Sequence, residues 1–387
     1  MPTLIAPQSV VALGMTAYVR AGFALRTFGA EHLRSDRGTI VAASHRTDYD
    51  VPVLSAALAW RWARAVAQGR PWPTFVARDD LFLRGFLAGW QPGVPIGVRR
   101  ALFKVRISRP LERLQCVPVR EPGRMRLVEL LLSDPARDLE GWLPIELERA
   151  LLKRARGLGR PQPRTGGDVI DAAYADVLWE PVDRDQTHDA DAAWRAHLDR
   201  ALADFRRIVE IVRRGDYLVI FPEGDTSPDG QIGPIRPGLG SLVRRGGARL
   251  IQPVSIAYDP LTAGRTRAYV AVGRALEVTS PTSAPRNGAE RKRAVTRALR
   301  EGTPLTPGQL AADALQRGLT TTALLAEAED YLTHARASGR PVEPGLERRG
   351  RRQLLVDALR RADHLGVRDP VIERLAGELR SAHSTAP

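Results

Sequence analysis

The feature that most constrains the fold is the run from Tyr217 to Phe221, in which every residue is aliphatic or aromatic. An unbroken run of this kind is typical of a strand buried on both faces, as in a parallel sheet covered by helices. Other short runs with strand character are residues 39–43, 73–77, 115–119, 250–258 and 267–272. Because predicted helices lie between these strands, we expect an α/β domain with a mostly parallel sheet flanked by helices.

Helical periodicity is clearest between residues 194 and 212, where apolar side chains recur every three or four positions. Residues 51–67 are also predicted to be helical, and residues 4–28 are predicted to form an amphipathic helix. This first helix can pack on the core or rest in a membrane interface. From residue 289 onward the sequence has no strand pattern, and a capping box from Thr306 to Gln309 begins one helix of a small helical tail.

These patterns predict three regions within the 387 residues. We expect an N-terminal amphipathic helix over residues 1–30, an α/β domain over residues 31–285 and a helical region over residues 289–387. Within the α/β domain, a stretch rich in proline and glycine at residues 157–167 predicts an exposed connection between helices.

The net charge of +14 and the pI near 10.8 mean that anions concentrate near this protein. Nucleic acid, acidic lipid surfaces and phosphorylated small molecules are the candidate partners. The densest arginine run, at residues 348–352, is not part of a recognisable DNA-binding motif. The single cysteine, Cys116, excludes an intramolecular disulfide and a zinc site built from cysteines. The N-terminal segment lacks the positive start of a signal peptide and the roughly 18 uninterrupted apolar residues of a membrane span.

The segment from Ser44 to Asp50, SHRTDYD, is a short polar stretch between a predicted strand and a predicted helix. On a regular helix, His45 and Asp50 would point about 140° apart, so the two side chains can meet only if the segment is a loop. In a loop, the carboxylate can hold one imidazole nitrogen and leave the other free to accept a proton. Asp48 competes for this position. Either aspartate can instead cap the helix, with His45 a surface residue.

A second polar cluster, Pro222 to Gly230, follows the buried strand directly. Ligands bind at the carboxyl ends of strands in open α/β sheets, and the His45 segment occupies the same kind of position. Glu223 can bind a hydroxyl group, a metal ion or nothing, and Gly224 lets a ligand approach the backbone closely. Although the cluster alone is also a good surface turn, two clusters at strand ends predict a shared site.

In this order, SHRTDYD and FPEGDTS resemble the signature blocks of the glycerolipid acyltransferases, which include glycerol-3-phosphate and lysophosphatidic acid acyltransferases. Stretches at residues 75–81, 116–120 and 251–257 resemble further blocks of that family, so the resemblance covers about residues 25–280. The segment at about residues 121–190 is longer than the usual connection in that family, which implies an insertion in the α/β domain. The resemblance implies an α/β acyltransferase at a membrane surface that takes an acyl group from acyl-CoA or acyl carrier protein.

On the matching positions, the resemblance makes His45 the general base that deprotonates the acceptor hydroxyl and Asp50 the residue that orients it. Glu223 and Gly224 would help to bind the acceptor. A thioester is already activated and needs only a base and a pocket for the oxyanion, so the resemblance implies neither a metal nor another cofactor.

The motifs do not single out one arginine to hold the acceptor's phosphate, because Asp225 and Thr226 stand where family members often have threonine and arginine. Arg120 ends the run CVPVR, which is one residue shorter than the family's strand-end block. Arg184 ends PVDR, which resembles that block more closely but comes later in the chain.

We expect Arg120 to bind the phosphate, because it follows a plausible buried strand. Its structural alternative is a pairing with Glu121. Acidic neighbours of Arg184 would repel a phosphate, and pairing with them on the surface is the alternative for that arginine. These neighbours are Asp183, Asp185 and Asp189.

The leading hypothesis is therefore a cytoplasmic enzyme, peripherally bound to the inner face of the membrane, that acylates glycerol-3-phosphate or 1-acyl-glycerol-3-phosphate in phospholipid biosynthesis. Its expected partners are the acyl donor, a glycerol phosphate or lysophospholipid acceptor and the membrane surface, without nucleic acid. Two alternatives stay open. One is a basic protein that binds lipid or nucleic acid through a degenerate acyltransferase site, and the other is a hydrolase that uses His45 and Asp50.

Overall fold

A computed structural model describes residues 7–90, 94–187, 190–278 and 287–383. The chain divides into two compact units, the first from residues 1–74 and 209–387 and the second from residues 75–208. The first three residues of the predicted N-terminal helix (4–6) and Asp189 lie outside the described residues.

The strands are β1 (Ala24–Phe28), β2 (Thr39–Ala43), β3 (Thr74–Arg78), β4 (Cys116–Val119), β5 (Arg124–Arg126), β6 (Pro181–Asp183), β7 (Leu218–Ile220), β8 (Leu250–Asp259), β9 (Arg267–Val272) and β10 (Leu276–Glu277). The helices of the first half are α1 (Pro7–Gly22), α2 (Asp50–Ala67), α3 (Phe86–Trp90), α4 (Ile96–Lys104), α5 (Ser108–Arg113), α6 (Leu127–Ser133), α7 (Ile145–Gly157), α8 (Gly166–Val169) and α9 (Ala175–Leu178). Those of the second half are α10 (Asp191–Arg213), α11 (Pro237–Gly246), α12 (Gly288–Gly302), α13 (Pro307–Gln316), α14 (Thr321–Ser338), α15 (Arg351–Leu365) and α16 (Pro370–His383).

The sheet of the first unit has the strand order β1-β9-β8-β2-β7. Its neighbours run parallel except for β8 and β9, and β10 adds a short antiparallel pairing to β8. Every residue of β2 and β7 is buried, as the unbroken apolar run predicts for strands in the middle of a covered sheet. The predicted fold class, a mostly parallel sheet flanked by helices with a helical C-terminal part, is confirmed.

The helix predicted over residues 4–28 is wrong at its C-terminal end. It ends at Gly22, and the next residues form β1, which pairs in parallel with β9 from Ala24 to Phe28. Glycine is a poor helix former, and the five residues after Phe23 gain backbone hydrogen bonds from a strand that lies more than 240 positions away in the chain. Phe28 then stacks on Tyr269 of β9, with 6.3 Å between the ring centroids.

The C-terminal helices, which were expected as a region over residues 289–387, belong to the first unit. The predicted capping box is present, with Thr306 Oγ1 and Gln309 Oε1 each accepting the other residue's backbone N–H at 3.2 Å. The hydroxyl of Ser255 in β8 donates to the carbonyl of Leu299 in α12 at 2.6 Å. These helices share a core of mostly leucine and alanine side chains: Leu305, Leu310, Ala314, Leu324, Ala328, Leu332, Ala335, Leu346, Leu355 and Leu379.

The second unit contains the parallel pair β3–β4, the antiparallel pair β5–β6 and the helices between them. The hydrophobic core of this unit extends beyond the insertion expected at residues 121–190. Leu83, Phe103 and Trp194, which lie outside those limits, pack into the same cluster. The fully buried members of that cluster include Leu127, Leu130, Leu131, Leu151, Tyr174, Leu178 and Val182. Apolar burial therefore joins the expected insertion to the segments on both sides of it.

Candidate active site

His45 and Asp50 meet because the chain turns between the end of β2 and the start of α2. His45 Nδ1 lies 2.9 Å from Asp50 Oδ2, the Asp50 side chain is fully buried, and the His45 side chain is 16% exposed. A carboxylate can only accept hydrogen bonds, so Nδ1 carries the proton and Nε2 keeps its lone pair. Within the described residues, no hydrogen-bond partner engages Nε2. The loop that the sequence analysis required is present, and it produces an imidazole able to accept a proton.

The same carboxylate also organises the loop. Asp50 Oδ2 accepts the backbone N–H groups of Arg46 at 2.5 Å and Thr47 at 2.9 Å, and Oδ1 accepts the hydroxyl of Tyr258 at 2.8 Å. Asp48 is exposed, and no described residue forms a hydrogen bond or ion pair with its side chain. The structure thus brings Asp50, and not Asp48, to the histidine. The Asp50 side chain therefore both caps backbone N–H groups of the loop and orients the imidazole of His45.

Glu223 joins the second polar cluster to the first. Its Oε1 accepts the backbone N–H of His45 at 2.9 Å, and its Oε2 accepts that of Gly233 at 2.7 Å. Burial raises the pKa of Glu223 above its ordinary value, although Arg46 and the two N–H groups act in the opposite direction. The ring of Phe221 lies 4.6 Å from the His45 ring, measured between centroids. The carboxyl ends of the neighbouring strands β2 and β7 therefore carry one continuous polar site.

Gly224 has a backbone φ of +85°, which side chains other than glycine adopt only under strain. A Cβ at this position would lie 2.8 Å from Nε of Arg236. That nitrogen donates to the carbonyl of Glu223 at 3.1 Å, and Nη2 of the same arginine contacts Asp225 Oδ2 at 2.7 Å. The absence of a side chain at Gly224 thus allows an arginine to approach the backbone of the candidate acceptor motif.

Sequence reasoning did not identify Arg236, because it lies 13 residues after Glu223, just before α11. It also missed the role of Arg46, which was treated only as part of a polar loop. Arg46 is buried and donates to the carbonyls of Gly230 at 2.5 Å and Gln231 at 3.2 Å. The backbone N–H of Ser227 donates to the carbonyl of His45 at 3.2 Å. These contacts hold the two polar loops together. The sequence shows that Arg46 and Arg236 are basic, but it does not show which groups they contact.

Arg120 lies in the second unit, directly after β4. Its guanidinium is 3.5 Å from Asp79 and forms a close ion pair with Asp204, and its side chain is mostly buried. Burial raises the pKa of Asp79 to about 6, against the opposing effect of Arg120. Arg184 is 62% exposed, and its nearest ionic partner is Asp191 at 3.8 Å. Arg184 is therefore open to solvent, whereas Arg120 already faces two carboxylates.

Among the described residues, no group of three or more histidine, cysteine, aspartate or glutamate side chains is arranged to hold a metal ion. Within the same part of the chain, no helix is both long enough and apolar enough to cross a bilayer.

Residues 171–257 match the family model named Acyltransferase. The matched segment includes Arg184, Glu223 and Gly224 and does not reach His45 or Arg120. The crystal structure of the 1-acyl-sn-glycerophosphate (LPA) acyltransferase, PlsC, from Thermotoga maritima has 14% sequence identity, covers 78% of this chain and 82% of that chain, and superposes with a TM-score of 0.39. At this identity and superposition, the likeness carries no information on substrates. No curated protein sequence matches the chain.

The family match confirms the resemblance to an acyltransferase family over a segment that holds the second motif block, with Glu223, and not the first, with His45. The roles of the individual site residues stay predictions.

Proposed function

We propose that this protein is an O-acyltransferase of phospholipid biosynthesis that transfers a fatty acyl group from acyl-CoA or acyl carrier protein to a hydroxyl of glycerol-3-phosphate or 1-acyl-glycerol-3-phosphate. The observation that carries this proposal is the His45–Asp50 pair at 2.9 Å, joined through the His45 backbone to Glu223 of the acyltransferase-family segment. A proton acceptor is thereby attached to the loop that the family model matches.

In the proposed reaction, Nε2 of His45 takes the proton of the acceptor hydroxyl as its oxygen attacks the thioester carbonyl. The new C–O bond forms, the C–S bond breaks, and the leaving thiolate takes the proton from the imidazolium. Asp50 holds Nδ1–H and stabilises the positive charge that the ring carries in between. A positioned general base of this kind contributes about 10² to 10⁴ in rate. No additional cofactor takes part in this scheme.

The acceptor's phosphate requires an arginine, whose planar fork can donate two parallel hydrogen bonds to phosphate oxygens. We place Arg236 first, because it lies in the same unit as His45, is 46% exposed and contacts the Glu223 backbone. Arg120 remains the candidate from sequence, but a phosphate there would compete with the carboxylates of Asp79 and Asp204. Arg184 is the third candidate, supported by its position within the matched segment.

A membrane surface is the proposed place of action, on the inner, cytoplasmic face, because the product is a lipid. Helices α1 and α2 contact each other and carry exposed apolar side chains. These are Val10, Leu13 and Tyr18 on α1 and Trp60 on α2, the last of them 79% exposed. The net charge of +14 adds attraction to anionic lipid, at about 1 kcal/mol for each basic residue near the surface.

The test is to incubate the purified protein with acyl-CoA or acyl carrier protein thioester and a panel of glycerol phosphates and lysophospholipids, and to identify the products by mass spectrometry. We expect an acylated glycerol phosphate with the wild-type chain. The His45→Ala variant, shown by circular dichroism to be folded, should lose about 10² or more of this turnover.

Two other outcomes would assign a different function to the protein. Release of free fatty acid without an acylated acceptor would identify a hydrolase that uses the same pair. Absence of any turnover, together with salt-dependent retention on DNA or lipid, would identify a basic binding protein with a degenerate site.

A further inference from the structure

The C-terminal helix α16 touches the loop of the candidate site through backbone atoms. We call residues 222–233 the acceptor loop, since they carry Glu223 and Gly224. A Cβ at Gly377 of α16 would overlap the carbonyl oxygen of Asp229, and a Cβ at Gly230 would overlap the carbonyl oxygen of Arg374. Two glycines, one on the helix and one on the loop, therefore allow a backbone-to-backbone contact that any side chain would prevent.

The glycine in α16 is costly for the helix itself. Glycine in a helix interior is less favourable than alanine, because it loses more backbone freedom on folding. Gly377 is buried within a 14-residue helix, so this cost is not the result of a turn or a helix end. The close approach to Asp229 is the structural reason for a glycine at this position.

A buried carboxyl group lies next to this contact. Glu378 is 1% exposed, and its Oε2 accepts a hydrogen bond from Gln309 Nε2 at 2.9 Å. Burial raises the pKa of Glu378 above its ordinary value, against the opposing effects of Arg46 and Arg374. The Cγ atom of Glu378 would lie 2.8 Å from a Cβ at Gly230. Glu378 therefore packs against Gly230, the residue whose carbonyl accepts a hydrogen bond from Arg46.

From α16 the contacts continue to the reacting group. Arg46 donates to the carbonyl of Gly230, and its own backbone N–H donates to the Asp50 carboxylate that holds His45. The backbone N–H of Ile232 also lies 3.5 Å from the hydroxyl of Ser381 on α16. Each link in this series is a described contact within the first unit.

We propose that α16 is a positioning element of the candidate active site, in which Gly377 seats the acceptor loop and Glu378 supports it by packing against Gly230. Its effect on turnover rests on the proposed function, whereas its effect on the loop does not. The C-terminal helices thus act on catalysis without touching the substrate, and Gly377 and Glu378 are positioning residues.

The first test is Gly377→Ala, with Gly97→Ala as the matched control, because a Cβ at Gly97 in α4 meets no atom within 4 Å. The new methyl group must displace the acceptor loop. A misplacement of about 1 Å can cost about 10²-fold in rate. We expect kcat/KM for the acceptor to fall at least about tenfold, with KM for the acyl donor within about twofold of wild type. Gly97→Ala should match the wild type in all constants.

A second measurement does not depend on activity. Hydrogen exchange followed by mass spectrometry reports on the amides of Ser227, Gly233 and Arg236, which donate to His45, Glu223 and Pro222. In Gly377→Ala we expect faster exchange in peptides from residues 222–236, while the sheet peptides from β8 and β9 keep wild-type rates. If the wild type itself transfers no acyl group, the proposed function fails and this exchange pattern still decides the positioning role.

Glu378→Gln guards against a Gly377→Ala protein that does not fold. Glutamine keeps the packing against Gly230 and an acceptor for Gln309, and it removes the ionisable carboxyl group on which Arg46 acts electrostatically. Its control is Glu373→Gln, an exposed carboxylate on the same helix. We expect faster exchange of the acceptor loop in Glu378→Gln only. Wild-type constants and exchange in both folded variants would overturn the proposal, as would an equal rise in exchange across the whole first unit.

Discussion

The hydroxyl group of Tyr258 donates a hydrogen bond to Oδ1 of Asp50 at 2.8 Å, while the other oxygen of the same carboxylate faces the imidazole of His45 at 2.9 Å. Burial and the negative charge of Asp50 raise the pKa of Tyr258 well above its ordinary value, so the phenol stays protonated and keeps donating at neutral pH. The aspartate is thereby held from β8 as well as from its own loop. Its orientation toward His45 depends on a strand that lies more than 200 residues further along the chain.

The first prediction concerns this tyrosine. Tyr258→Phe removes the donor and leaves Oδ1 of Asp50 with the Thr47 hydroxyl at 3.5 Å as its nearest side-chain partner. Hydrogen bonds to charged groups contribute about 1.5–3 kcal/mol, and we expect a loss of this order in the free energy of unfolding measured in urea. We also expect kcat to fall about tenfold with little change in KM, since the substitution disturbs the orientation of the base and not the binding of the substrate.

Tyr18→Phe is the control for the loss of a phenol, because the Tyr18 ring is 57% exposed. It should change neither kcat nor the free energy of unfolding. Equal effects of Tyr258→Phe and Tyr18→Phe would show that the Tyr258 hydroxyl group has no specific role in the site.

The second prediction separates the two aspartates of the histidine loop. Asp50→Asn cannot stabilise an imidazolium, so we expect kcat to fall by about 10² or more. Asp48→Asn should stay close to wild type, because the Asp48 side chain is exposed. Steady-state kinetics on both variants, with circular dichroism as the check on folding, decides this. A reversed order of the two losses would contradict the His45–Asp50 pairing.

The elements that were predicted well are those in which a local pattern and the final environment agree. The alternation of short apolar runs and helical periods was enough for the fold class, and β9 (Arg267–Val272) and α10 (Asp191–Arg213) lie where their patterns predict. The segment after Gly22 was wrongly predicted to be helical, since the sequence of Ala24–Phe28 is compatible with one face of a helix as well as with a strand. Only the distant partner β9 decides between the two.

The contacts that complete the candidate site could not be predicted, because each of them joins positions far apart in sequence. Arg46 was visible as a basic residue, but its acceptors, the carbonyls of Gly230 and Gln231, are backbone atoms that carry no sequence signal. The same holds for Gly377, whose role depends on the Asp229 carbonyl. Motifs place the reacting groups at strand ends, and tertiary contacts supply what holds them there.

The third prediction is a pH dependence of stability in the second unit. The pKa of Asp79 rises from 3.8 to about 6 through burial, so the folded protein binds this proton more tightly than the unfolded chain does. The stability linked to the protonated form is fully present below about pH 4 and is lost as the pH rises through about 6. At roughly 1.36 kcal/mol per pKa unit, the contribution is at most about 3 kcal/mol.

Asp79→Asn should remove this part of the pH dependence, so the free energy of unfolding should fall less between pH 4 and pH 6 than in the wild type. Asp185→Asn, an exposed position in the same unit, is the control. Urea unfolding at a series of pH values measures the difference. Parallel curves for Asp79→Asn and the wild type would show that this carboxyl does not titrate in the window.

The fourth prediction is peripheral binding to anionic membranes. Vesicle flotation at low salt should recover the protein with anionic lipid and not with neutral lipid, and high salt should release it, since screening weakens exposed charges. Burial of an apolar side chain contributes about 1.5–3 kcal/mol, so Trp60→Ala should lower the constant for partitioning onto anionic vesicles about tenfold or more. Leu365→Ala, at another exposed apolar position, should leave it unchanged. A protein that never floats with anionic vesicles contradicts the membrane proposal.

The last prediction concerns the arginine that recognises the acceptor's phosphate. Arg236→Ala should raise KM for a phosphorylated acceptor about tenfold or more, because hydrogen bonds between charged groups contribute about 1.5–3 kcal/mol. KM for the acyl donor should stay near wild type. Preference for a phosphorylated over an unphosphorylated acceptor should fall by the same factor. Arg236→Lys should restore this preference only in part, since an ammonium cannot make the two parallel hydrogen bonds of a guanidinium.

The other two arginines provide the comparison. Arg120→Ala leaves Asp79 and Asp204 without their shared cation, so we expect a lower free energy of unfolding, and its KM is informative only if the protein stays folded. Arg184→Ala should be neutral to stability, because that side chain is exposed. Both acceptor and donor constants are to be measured in all three alanine variants. An acceptor defect confined to Arg120→Ala would support the strand-end position expected from sequence. A defect confined to Arg184→Ala would support the motif likeness instead, and either result would exclude Arg236 as the phosphate ligand.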